Sequence, residues 1–207
     1  MELADYERAG ADIVFVPNHP VRDAIPVALA AIGPKNVTAA VELAEAWMPI
    51  FYLPEKSAEV WGAAVTEGRA RRDPALGPRD VIAHAALAIG EDVTSLREHS
   101  RPELALYIGG MGARGRNFYN DLARRFGYEA EAKAIQDAYL DGRRAEAEAL
   151  VPAELVERTA LIGPAGYVAE RLAAFGESGV TTLNVTPLAP THQARVRLIE
   201  RVRALAD

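Results

Sequence analysis

From Ile25 to Trp47 the chain passes from an almost unbroken apolar run to apolar positions spaced as on a helix. Ile25–Ile32 has no polar alternation and is short, the pattern of a parallel strand buried on both faces. Gly33-Pro34 ends that run and Asn36 is placed to cap a helix, after which Val37, Ala40, Val41, Leu43, Ala44 and Trp47 recur at helical spacing. A strand–turn–helix joint is predicted. The same reading places strands at Ile13–Val16, Met48–Leu53, Val81–Ile89 and Val180–Val185. Helices are predicted through Leu3, Tyr6 and Ala9, from Pro54 to near Arg72, from Phe118, through 130–150, from Pro152 and over 165–175. A C-terminal helix turns Val196, Ile199 and Val202 to the core. Between Asp92 and Glu177 no strand is expected.

Strands separated by helices and joined by short connections demand parallel pairing and right-handed crossovers, so the fold class is α/β. The chain has 207 residues, half of them hydrophobic, enough to bury a sizeable core as one domain or at most two. Its net charge of −6 argues against a sequence-independent hold on nucleic acid. It has no cysteine, which removes disulfides, thiolate metal sites and cysteine nucleophiles. No apolar run is long enough to span a membrane, and the acidic N-terminus is unlike a signal peptide, so the expectation is a cytoplasmic protein with neither nucleic acid nor membrane as partner.

The candidate chemistry begins at the joint. The first N–H groups of a helix lack partners and carry partial positive charge, so Gly33, Pro34 and Lys35 could frame a phosphate site. An ordinary Gly-Pro turn followed by a solvated lysine has the same sequence. His84 lies mid-strand, either a hydrogen-bonded core residue or, if the strand lines a barrel, a cavity-facing one. His19 falls in a proline-rich loop and reads as exposed. Gly109, Gly110, Gly112 and Gly115 beside Arg114 and Arg116 could clamp an anion but lack the spacing of a nucleotide loop. Arg69, Arg71 and Arg72 fit the last turn of a helix, where cations complement the dipole. No Gly-x-Ser-x-Gly, His-Glu-x-x-His or acidic metal loop is present, so no metal is expected and no side chain stands out as catalytic.

Three segments, IPVALAAIGPKNVTAAVELAEAWMPIF, ALYIGGMGARGRNFYNDLARRFGY and GPAGYVAERLAAFGESGVTTLNVTP, together resemble the luciferase-like oxidoreductase superfamily, and specifically its branch using the deazaflavin coenzyme F-420. The resemblance runs nearly continuously over residues 20–207. It implies an incomplete TIM-type (β/α) barrel with about five parallel strands and a long helical excursion before the last. It implies hydride transfer between coenzyme F-420, or FMN as the alternative, and a small organic substrate. It assigns cofactor binding to Ala31, Ile32, Gly33, Pro34 and Lys35, and lets His84 and Asn184 line the lumen. On this alignment 1–207 form a single domain whose five strands match the second, fifth, sixth, seventh and eighth of the barrel. The first, third and fourth have no counterpart. Five strands do not close an ordinary barrel, so the former lumen wall should face water, which predicts homo-oligomers in which two such faces bury each other, or else a locally unstable protein. The competing expectation is a non-catalytic remnant or oligomerising scaffold of the same fold.

Overall fold

The computed structural model describes residues 25–206. The helix expected around Leu3–Ala9, the strand at Ile13–Val16 and His19 lie outside them. Five parallel strands form the described sheet: β1 (Ala28–Ala30), β2 (Ala46–Met48), β3 (Asp80–Ile89), β4 (Leu161–Gly163) and β5 (Thr182–Pro187). Helices α1 (Pro34–Leu43) and α2 (Pro54–Arg71) follow β1 and β2. The excursion after β3 holds α3 (Arg101–Ala105), α4 (Phe118–Arg125), α5 (Glu129–Leu140), α6 (Arg144–Ala149) and α7 (Ala153–Arg158). Finally α8 (Ala165–Glu177) joins β4 to β5, and α9 (His192–Ala206) follows β5.

The long strand β3 organises the sheet through the two-residue period of its backbone. Asp80 and Gly90 donate to Glu45 and Gly163, on the side of β2 and β4, whereas the carbonyls of Val81 and Leu87 accept from Thr181 and Leu188, on the side of β5. β2 accompanies β3 only at Asp80 and Val81, and β4 takes the vacated side at Leu87–Ile89. The side chains alternate as well. Val81, Ala83, Ala85, Leu87 and Ile89 are buried under the helices, while His84 is exposed on the other face. That other face is the former lumen wall, and the barrel is not closed.

Several expectations are corrected. β1 is three residues, not Ile25–Ile32, and exposed throughout rather than buried on both faces, because among the described residues it pairs only with β2. The first helix stops at Leu43, and Trp47 belongs to β2, where it pairs with Leu29 and Val81. Arg72 enforces that stop by donating to the carbonyls of Val41 and Ala44 at 2.9 and 2.6 Å, a cap on the neighbouring helix as well as a cation at the end of its own. Met48–Leu53 is not a strand: Pro49 interrupts it and Phe51 has φ 50°. β4 was not expected at all, since three apolar residues between helices carry no readable period. The helix through 130–150 breaks at Gly142, φ 83°. On α9, Val202 and Ile199 pack inward as expected but Val196 is exposed.

The glycine-rich segment is a packing device. An added Cβ at Gly109 or Gly110 would lie 2.5 or 2.4 Å from Tyr139 atoms, so these glycines let the π-helical turn Leu106–Gly110 lie against α5. Arg114 is already engaged by Asp137 at 2.7 Å and Asp141 at 3.1 Å rather than held open for an anion. Lys133 first, and then Arg114, hold the Asp137 carboxyl down at about 2. Gly109→Ala should lower stability by about 1–3 kcal/mol through overpacking, read as a lower urea midpoint at unchanged slope.

Candidate functional site

At the carboxyl end of β1 the chain turns into α1 through Ala31, Ile32 and Gly33, and three side chains fix that turn. Trp47 Nε1–H donates to the Ala31 carbonyl at 2.9 Å. Trp61 Nε1–H and Arg125 Nη2–H both donate to the Ile32 carbonyl, at 3.0 and 2.9 Å. Burial lowers the pKa of Arg125, with Asp121 opposing the shift. In a trans peptide the N–H points opposite to its carbonyl, so the N–H groups of Ile32 and Gly33 face away from these donors.

The helix adds to this. Gly33 is the N-cap residue without a side-chain cap, Pro34 has no N–H, and the first helical bond is Val37 N–H to Gly33 O at 2.9 Å. The N–H groups of Ile32, Gly33, Lys35 and Asn36 have no protein acceptor among the described residues. A Cβ at Gly33 would meet nothing within 4 Å, so the space in front of the turn is open. Four outward donors at a helix start form an arrangement suited to an anion.

Two cavities flank the joint. One, of about 280 Å³, is lined by Ala30, Ala31, Ile32, Gly33, Asn36, Met48, Ile50, Phe118 and Tyr119. The other, of about 290 Å³, shares Ala30, Met48 and Ile50 and extends past Phe51 to His84, Ser100, Glu103 and Thr159. Of the five residues expected to bind cofactor, Ala31, Ile32 and Gly33 line the first cavity, whereas Pro34 and Lys35 are exposed beside it.

Aromatic rings build the wall opposite the joint. Phe51, Tyr107 and Tyr119 meet edge to face, with centroids 4.7–6.4 Å apart, and Phe118 is 72% exposed. Buried Asn117 caps α4 by accepting from Tyr119 N–H and Asn120 N–H, and donates to the carbonyls of Tyr107 and Ile108. Asn120 donates to Ile108 O and Ala132 O. These bonds tie the π-helical turn to α4 and α5 and so set the rings. Phe51 sits in the left-handed region, at a cost of about 1–3 kcal/mol that its ring contacts offset.

His84 is cavity-facing rather than core. Its Nε2 lies 2.9 Å from Thr186 Oγ1, and Asn184 stands directly across the ladder, so His84 and Asn184 share the open face as the barrel alignment implied. The sequence reading missed Met48, Ile50, Phe51, Phe118 and Tyr119. Pro49 inside a supposed strand was the available signal for the first three. An aromatic pair at a helix start was the signal for the other two.

The family model for luciferase-like monooxygenases matches residues 4–182. A Mycobacterium tuberculosis protein named for coenzyme F-420-dependent oxidoreductase activity is 37% identical over 170 residues, 81% of this chain and 49% of that protein. The chain therefore spans about half the length of the curated relative it matches. In fold it is similar to the coenzyme F-420 dependent tetrahydromethanopterin reductase of Methanopyrus kandleri, with TM-score 0.62, 23% identity, and coverage of 84% of this chain and 49% of that one. It is similar as well to an F-420-dependent secondary alcohol dehydrogenase, with TM-score 0.59, 15% identity, and coverage of 94% and 52%. These neighbours are TIM-barrel enzymes. By its family match and this relative, the chain belongs to the luciferase-like monooxygenase family.

Proposed function

We propose that the chain binds coenzyme F-420 at the carboxyl end of β1 and serves an oxidoreductase that moves a hydride between this deazaflavin and a small organic substrate. The observation that carries the reading is the set of outward N–H groups at Ile32, Gly33, Lys35 and Asn36, held by Trp47, Trp61 and Arg125 from behind. An anionic part of the coenzyme takes those donors, with Lys35 adding charge from the rim. Met48, Ile50 and Phe118 supply apolar surface beside it, suited to a flat ring. When bound, the deazaflavin supplies the hydride chemistry. The chain's own residues bind it, orient it and shield one side from water.

The open sheet favours a second reading, a scaffold of the same fold without chemistry. His84 is exposed, and no other ionisable side chain projects from the described strands into the former lumen except Asp80 at its far end. A fluorescence titration of the purified protein with coenzyme F-420, with FMN as comparison, separates the two. Saturable micromolar binding of F-420 in preference to FMN is expected. A folded protein that binds neither leaves only the scaffold.

A further inference from the structure

We propose that two copies of this chain close a single eight-stranded barrel, β5 of each pairing with β1 of the other about a two-fold axis along the barrel. The strands lying side by side are β1, β2, β3 and β5, all parallel, while β4 only extends the ladder at the end of β3. Four is half of the eight that close a barrel whose interior side chains can fill.

Among the described residues both outer edges carry unused backbone groups. In β1 the carbonyl of Val27 and the N–H of Ala31 serve β2, so by the two-residue period Ala28 and Ala30 turn theirs to the free edge. Just past β5 the Leu188 N–H serves the Leu87 carbonyl of β3, so by the same period and the register Leu183 and Val185 present their backbone groups to the other edge. Such edges are templates for pairing. Because every strand is parallel, a two-fold axis along the barrel brings β5 against β1 in the same direction twice and leaves no edge open.

An independent observation fits the same closure. Ile25, Val27 and Leu29, on and before β1, are 85%, 52% and 39% exposed, and Leu29 shares a face with Trp47 beneath the helices. At the opposite edge, on that same face, an apolar groove of about 650 Å³ runs between α8 and α9 over Leu183 and Val185. Pairing the edges lays the exposed apolar side chains of one copy beside the groove of the other. It also takes His84, Asn184 and Thr186 out of bulk water and into a shared lumen.

The test needs no coenzyme and stands apart from the coenzyme reading. The chain has no cysteine, so single cysteines report cleanly. Light scattering gives the mass at micromolar concentration. Ala28→Cys and Ala30→Cys proteins are each mixed with Thr182→Cys and Asn184→Cys proteins under copper-phenanthroline and run on a non-reducing gel. All four positions are exposed, so folding should survive. The expected result is a dimer mass and a disulfide-linked heterodimer in at least one mixture, the successful pair giving the register. A monomer would overturn the proposal. So would a dimer that cross-links in none of the mixtures, which would mean that the copies meet through another contact.

Discussion

Trp61→Ala is expected to be the most damaging single substitution, lowering stability by about 3–5 kcal/mol. Trp61 is 1% exposed and lies in the middle of the aromatic core. It stacks on Tyr52 at 5.6 Å and meets Trp47 and Phe126 edge on at 5.3 and 5.8 Å. Truncation leaves a cavity where α2, β2 and α4 meet and strips one of two donors from the Ile32 carbonyl. Urea unfolding followed by circular dichroism checks the stability, with a midpoint shift rather than a change of slope expected. Trp61→Phe separates the two roles. It keeps the ring contacts but not the N–H, so most of the stability should remain while the turn before α1 loosens and F-420 affinity falls.

Glu55→Ala is expected to cost about 3 kcal/mol, the low end for breaking a buried ion pair, because Glu55 is one-third exposed. Arg171, with its side chain 8% exposed, forms an ion pair with Glu55 and donates to the Arg158 carbonyl, and its Nε has no partner. Removing Glu55 strands that guanidinium between α2, α7 and α8. Burial alone would raise the Glu55 pKa, but the Arg171 hydrogen bond, with the charges of Arg171 and Arg158, outweighs it and holds the carboxyl below its ordinary value. A lowered folded-state pKa stabilises fully above the unfolded value of about 4.3 and loses that contribution as pH falls through the folded value. The wild-type unfolding midpoint should therefore drop between about pH 5 and pH 3 by more than that of Glu55→Gln. Equal pH slopes would show that the pair contributes nothing.

How much of this was legible in the sequence depended on whether the signal was local. The βα joint at Gly33-Pro34 was, because an apolar run, a breaker and a helical period stand side by side. The alternation of β3 about His84 was legible only as a choice between core and cavity, since the choice depends on whether strands and helices beyond it cover both faces. β4 was invisible because its three residues pair with a part of β3 that β2 happens to leave free. The site's far wall was hidden for a similar reason: Phe51 and Tyr119 are 68 residues apart and meet only through the Asn117 and Asn120 hydrogen bonds. The glycines of the Gly-Gly-Met-Gly loop suggested a ligand loop, but their close approach is to Tyr139, a contact no local pattern announces.

The most direct test of the site is to delete one donor from the joint and leave the backbone alone. Gly33 has φ −76°, within the range proline holds, and a side chain there meets nothing, so Gly33→Pro removes the N–H with little strain, while Gly33→Ala retains it. F-420 titrations should show Gly33→Pro binding about tenfold more weakly than Gly33→Ala, one charge-assisted hydrogen bond's worth, with both variants as stable as the parent. Equal affinity for the two would contradict the account and place the coenzyme, if it binds at all, away from the β1–α1 joint.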